Sequence, residues 1–167
     1  MNDYDWKKFE KRITLDSLKP MVIYNAWSTR EGIESWFLRE SIYTKGNGGE
    51  RGRSEQAEKG DQYRWMWHGY PDETFETGQI LEANGKDLFR FTFSGGCIVT
   101  VTIVKEQNEN ICSLVQEMPM KDEAEQRYFF IECGKGWTFY LANLKAVYQG
   151  GVDLRNKNVL IQKVVNA

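Results

Sequence analysis

The sequence predicts an α+β fold: a curved antiparallel sheet of about six to seven strands wrapped around one long C-terminal helix, with two short helices after the first strand. Three observations predict it. Alternating strand patterns succeed one another between residues 63 and 118, broken by tight turns such as Asn84-Gly85 and Ser94-Gly95-Gly96. Phe130, Cys133, Trp137, Tyr140, Leu141, Leu144 and Tyr148 then recur at helical spacing. Finally, one long and two short helices can cover only one face of such a sheet. The twisted sheet must therefore curl around the long helix to hide its aromatic side.

The elements follow in order. Phe9, Ile13 and Leu15 alternate with polar neighbours as a half-buried first strand. Asp16 or Ser17 is expected to cap a short helix with Pro20 near its start, running to about Trp27. Ser28-Thr29-Arg30-Glu31 reads as a capping box opening a second short helix that buries Ile33, Trp36 and Phe37. Residues 40–45 read as a strand. Residues 46–61 are glycine-rich and charged, and are expected to form a solvated, mobile connection. Tyr63, Trp65 and Trp67 form one phase of the next strand. Phe75, Thr77, Gln79 and Leu81 form one phase of another, with Glu76, Ile80 and Glu82 opposite, and Phe89, Phe91 and Phe93 form one phase of a third. Residues 97–105 and 111–118 are the last two strands, joined by a polar turn at 107–110 and closed by Pro119. The long helix should run from about 123 to 149 and stop at Gly150-Gly151. Gly134 and Gly136 inside it could allow a bend or close packing. The tail, 151–167, carries Val159, Leu160, Ile161, Val164 and Val165, more apolar groups than a free tail needs. It is expected to pack on the domain or on a partner.

Composition excludes several classes. The 167 residues suit one domain, and 41% hydrophobic content rules out disorder. The net charge is −2 and no basic stripe exists, so nucleic acid is not an expected partner. No apolar run reaches the length of a membrane span, and the acidic N-terminus lacks the form of a signal peptide. Cys97, Cys112 and Cys133 are widely spaced and read as reduced thiols in a cytoplasmic protein. The turn at 107–110 would set Cys112 opposite about Lys105, so a Cys97–Cys112 disulfide is not expected. No metal-binding spacing is present and no cofactor is expected.

Three segments carry a family resemblance: Ala26-Trp27-Ser28-Thr29-Arg30-Glu31-Gly32-Ile33-Glu34-Ser35-Trp36-Phe37, Tyr63-Arg64-Trp65-Met66-Trp67-His68-Gly69, and Gly136-Trp137 followed by Leu141 and Leu144. In this order they resemble the "activator of heat-shock protein 90 ATPase homologue 1-like" family, within the START/birch-pollen-allergen superfamily (SRPBCC). The resemblance implies a helix-grip fold and a single START-like domain over residues 1–167, with a core at about 9–150 and a tail at 151–167. It also implies either a small-molecule cavity or a stress-response co-chaperone role with a chaperone as partner. The same superfamily holds polyketide-cyclase-type enzymes.

The phosphate-loop reading of Gly46-Asn47-Gly48-Gly49-Glu50-Arg51-Gly52 fails, because Arg51 stands where a third glycine is needed and no Gly-Lys-Ser/Thr follows. His68, the only histidine, has no nucleophile signature beside it and is expected to face away from the long helix. Tyr63 and Tyr140 are weak acid/base candidates, so a non-enzymatic reading is favoured. Strand carboxylates such as Glu76 and Glu82 are expected to face solvent. The aromatic content, 14%, is the strongest functional signal. The expected ligand-binding set is Trp36, Trp65, Trp67, Phe75, Gln79, Phe89, Phe91, Phe93, Gln116, Trp137 and Tyr140, with the two glutamines as orienting groups. A closed aromatic core and a hydrophobic-ligand cavity both fit these residues, and the resemblance favours the cavity. The tail is a candidate for self-association.

Overall fold

The computed structural model describes residues 4–161 and 163–165. Its order is β1 (Lys8–Thr14), α1 (Pro20–Ser28), α2 (Arg30–Trp36), β2 (Glu40–Thr44), β3 (Gln62–Met66), β4 (Phe75–Ala83), β5 (Leu88–Phe93), β6 (Cys97–Glu106), β7 (Glu109–Glu117) and α3 (Glu123–Tyr148). The seven strands form one sheet ordered β1-β7-β6-β5-β4-β3-β2, with antiparallel neighbours throughout. Strands β2 to β7 run as a meander, and β1 closes the far edge against β7. Helix α3 packs against β1 and α2, which gives the helix-grip architecture.

Local chemistry corrects several boundaries. Helix α1 begins after Lys19, which provides no side-chain cap; Pro20, which lacks the donor an N1 residue would leave unpaired, opens the helix instead. Thr29 rather than Ser28 caps α2, its hydroxyl accepting from the Gly32 amide at 2.9 Å. Ser28 ends α1 and donates to the Tyr24 carbonyl. A single extended residue thus separates the helices, and they cross tightly. A Cβ at Gly32 would lie 2.0 Å from the Asn25 carbonyl oxygen, so only glycine fits there.

The 46–61 connection is exposed over most of its length, as expected, but is anchored at three buried residues, Arg51, Ala57 and Asp61. Arg51 is buried and donates from Nε and Nη2 to Asp61 at 2.5 and 3.1 Å, with Glu55 and Glu58 as further acceptors. Ala57 is buried and its amide donates to the Ser28 carbonyl. A central guanidinium with several acceptors orders a segment whose composition alone reads as loop.

The β6–β7 hairpin is tighter than expected. Gln107 and Asn108 both take positive φ, so strand pairing begins at Glu106–Glu109 and Cys112 lies opposite Ile103. All three cysteines are free. Helix α3 runs unbroken through Gly134 and Gly136. A Cβ at either position would meet no atom within 4 Å, so the glycines leave room instead of allowing close packing.

After Gly150, at φ +80°, the tail folds back. Arg155 is buried and donates to the carbonyls of Glu34, Ser35 and Leu38 at 3.0, 2.9 and 2.9 Å, and to Asp153. Further on, Val159, Leu160, Ile161, Val164 and Val165 are exposed. Among the described residues, no helix is long and apolar enough to cross a membrane.

Candidate functional site

Most of the interior is filled. Trp36, Trp65, Phe89 and Phe91 have essentially no exposed surface. Trp36 donates its indole N–H to the Ala26 carbonyl, Trp65 stacks on Tyr63 at 3.9 Å between centroids, and Phe89 packs edge-on against Tyr24. These four expected ligand-binding residues lie in solid core and do not line the cavity, because α1 and α2 close over them.

The interior opens at one end. A cavity of about 270 Å³ lies between the start of β4, the end of β5 and the N-terminal half of α3. Its rings include Phe37, Trp67, Phe93, Trp137 and Tyr140, with Tyr70, Tyr128 and Phe129 also on the wall. Trp67, Phe93, Trp137 and Tyr140 are thus the members of the expected set that come together there. Phe37 is central: its ring lies 5.0 Å from Trp137, 4.8 Å from Tyr140 and 5.7 Å from Trp67. Gly136 faces the same space. Trp67 follows the last residue of β3 yet keeps the inward phase of Tyr63 and Trp65.

Gln116 is fully buried, but it serves the wall rather than the space. Its Oε1 accepts from Trp137 Nε1 at 2.7 Å, because a buried indole N–H needs an acceptor. Phe75 and Gln79 lie on the opposite face of the sheet. Phe75 is exposed and carries the Arg64 guanidinium 4.3 Å from its ring centre, and Gln79 is exposed beside it.

The cause is the parity of β4. A bulge between Ile80 and Glu82 shifts the register, so Glu76, Gly78 and Ile80 face inward before it and Ala83 after it. A single alternation across 75–82 assigns the wrong side to the first half. On the inward face before the bulge stands Glu76, expected to face solvent: it lines the cavity. The signal was Ile80, whose burial requires Glu76 to share its face.

Glu76 lies on β4 opposite Trp65. Ser94, in the tight turn after β5, donates its hydroxyl to Glu76 Oε2 at 2.5 Å. Burial pushes the Glu76 carboxyl upward, and the Ser94 hydrogen bond pulls part of the way back. Burial likewise raises the Tyr140 phenol and the Cys133 thiol, both on the cavity wall. Neither is poised as a base or nucleophile. Tyr63 is buried over Gly78 with its hydroxyl donated to the Thr92 carbonyl, so it too is structural.

His68 is half-buried outside the cavity. Burial, together with the positive charges of Arg155 and Lys157, pulls its pKa down to about 4. Among the described residues no cluster of His, Cys, Asp and Glu could hold a metal ion. The arrangement suits holding a small, largely apolar molecule among rings and two carboxyl groups, Glu76 and Glu132.

Comparison with known structures agrees with this architecture. The SSP2350 protein of Staphylococcus saprophyticus is 17% identical, with 89% of this chain and 96% of that one aligned at a TM-score of 0.68. The Aha1 dimer of Colwellia psychrerythraea is 16% identical over 86% and 97% of the two chains, at 0.60. DynU16, a putative protein in the dynemicin biosynthetic locus, is 16% identical over 90% of this chain and 50% of its own, at 0.61. At these identities the likeness shows the fold alone. No curated protein matches the chain significantly. The family model for "Activator of Hsp90 ATPase homolog 1-like protein" matches residues 17–149, which include the paired helices, the central strand and the Gly136-Trp137 helix. The chain belongs to the activator of Hsp90 ATPase homolog 1-like family.

Proposed function

We propose that this protein binds a small hydrophobic molecule, without turning it over, in the cavity between β4, β5 and α3. One observation carries the reading: an aromatic-walled space of about 270 Å³ that the surrounding side chains leave unfilled. Ligand sites usually span about 300–1,000 Å³. This one falls just below that range, which favours a single-ring aromatic metabolite over a sterol or a long-chain lipid. Apolar burial at about 25 cal/mol per Å² would drive binding, less the entropic costs of association. The buried, unactivated state of Tyr140 and Cys133 supports binding over catalysis.

The test is a titration of intrinsic tryptophan fluorescence with single-ring aromatics. Trp67 and Trp137 are expected to report saturable binding at one site. Gly136→Leu, which projects a side chain where a Cβ meets nothing within 4 Å, should abolish the signal while leaving the fold intact. Equal titrations of both proteins would remove the cavity from the assignment.

A second reading, a co-chaperone-like interaction module in stress response, is favoured by the exposed apolar groups Val159, Leu160 and Val165. Here the tail would meet a chaperone or a second copy of the chain. Truncation after Asn158 should then abolish capture of purified heat-shock protein 90, or self-association in sedimentation, while sparing ligand binding. The free thiols at 97, 112 and 133 support a cytoplasmic location for either role.

A further inference from the structure

An apolar pocket does not by itself select a charge, but this one has a one-sided electrostatic lining. Rings from Phe37, Trp67, Phe93, Trp137 and Tyr140 share its walls with two carboxylates, Glu76 and Glu132, while no Lys, Arg or His lines it. Glu132 already has a cation, Lys135, at 2.8 Å. Glu76 has none: Ser94 is its one hydrogen-bond partner among the described residues, and no basic side chain forms an ion pair with it. Aromatic faces are electron-rich and attract cations, more strongly where water is displaced. A carboxylate in a poorly hydrated site gains most from a charged partner brought by the ligand. An anion would meet both the ring faces and Glu76 unfavourably.

We propose that the cavity selects a small organic cation, an ammonium group on a single-ring or short apolar body, seated on the aromatic walls with its charge against Glu76. The inference rests on the cavity reading above and adds the chemical class of the occupant. The Ser94 hydroxyl holds one carboxylate oxygen and leaves Oε1 for the ligand's N–H or N–CH₃ groups. The upward push of burial on Glu76 is the cost that such an occupant would offset.

Three soluble probes of one shape and different charge test this: benzylamine, benzyl alcohol and benzoate. Each is titrated into the intact protein at neutral pH by calorimetry and tryptophan fluorescence. Benzylamine is expected to bind about tenfold or more tighter than benzyl alcohol, a difference of about 1.4 kcal/mol, with benzoate weakest. Glu76→Gln, which keeps shape and the Ser94 contact, should bring benzylamine and benzyl alcohol within about twofold of each other. Benzyl alcohol binding as tightly as benzylamine, or benzoate binding tightest, would overturn the charge assignment while leaving the cavity reading in place. An undiminished benzylamine preference in Glu76→Gln would overturn the role of Glu76. Saturable binding by none of the three would overturn both readings. The wild-type series decides the charge class even if the variant fails to fold, which circular dichroism would show.

Discussion

Arg155 shows how one side chain can organise a segment that its neighbours leave undefined. Its guanidinium caps the C-terminal end of α2 through three carbonyls and pairs with Asp153. Burial alone would raise the Asp153 carboxyl, but hydrogen bonds from Arg155 and Lys157 hold it well below the usual carboxylate range. Arg155→Ala leaves those carbonyls unpaired and Asp153 with only Lys157 and Asn143 as partners, and should cost on the order of 3 kcal/mol in urea unfolding. A loss below about 1 kcal/mol would overturn that role. The same cations act on His68, whose folded pKa lies at about 4 against an ordinary 6.5. Between those values the unfolded chain binds more protons than the folded one. Stability from this group is therefore complete above 6.5 and is lost as pH falls toward 4. Melting temperature should drop across that window, and His68→Gln should flatten the drop; an unchanged slope would remove His68 as its source. Neither residue's role was legible in the sequence. His68 and Arg155 are far apart along the chain, and only the fold brings the tail beside the end of β3.

At the scale of elements, α3 and β4 make an instructive contrast. Periodicity located α3 well, because seven apolar positions over about five turns leave one phase. It did not show that Gly136 opens the cavity wall. Since a Cβ at 134 meets nothing within 4 Å, Gly134→Ala should raise stability by up to about 1 kcal/mol through helix propensity alone. A destabilised variant would mean that the space beside Gly134 closes in solution. Strand β4 was legible as a strand but not in its facing. Phe75 and Leu81 look like core residues under one alternation, yet the bulge at Ile80/Glu82 breaks the alternation. The consequence is functional, since the phase before the bulge, set by pairing with β3, puts Phe75 and Gln79 outward and Glu76 into the cavity. The β6–β7 turn differs from expectation on a smaller scale: two residues at positive φ suffice, and the register moves by two.

For the whole molecule, the tail divides into an anchored part and an exposed part. Truncation after Asn158 removes the exposed Val159, Leu160, Ile161, Val164 and Val165 and should leave the melting temperature within a degree or two, whereas truncation before Asp153 should lower it as far as Arg155→Ala does. Equal effects of the two truncations would show that the exposed apolar row packs on the domain. Fold class, element order, the long helix and the aromatic character of the interior are all readable in the sequence. These follow from local period and composition, which act over a few residues. Which aromatics fill the core and which leave space, that Gln116 is consumed by Trp137, and that two carboxyl groups share the cavity emerge only from the folded arrangement. Those outcomes depend on where the sheet bulges and where α1 and α2 close over it. Packing of distant segments fixes both, and no local pattern encodes it.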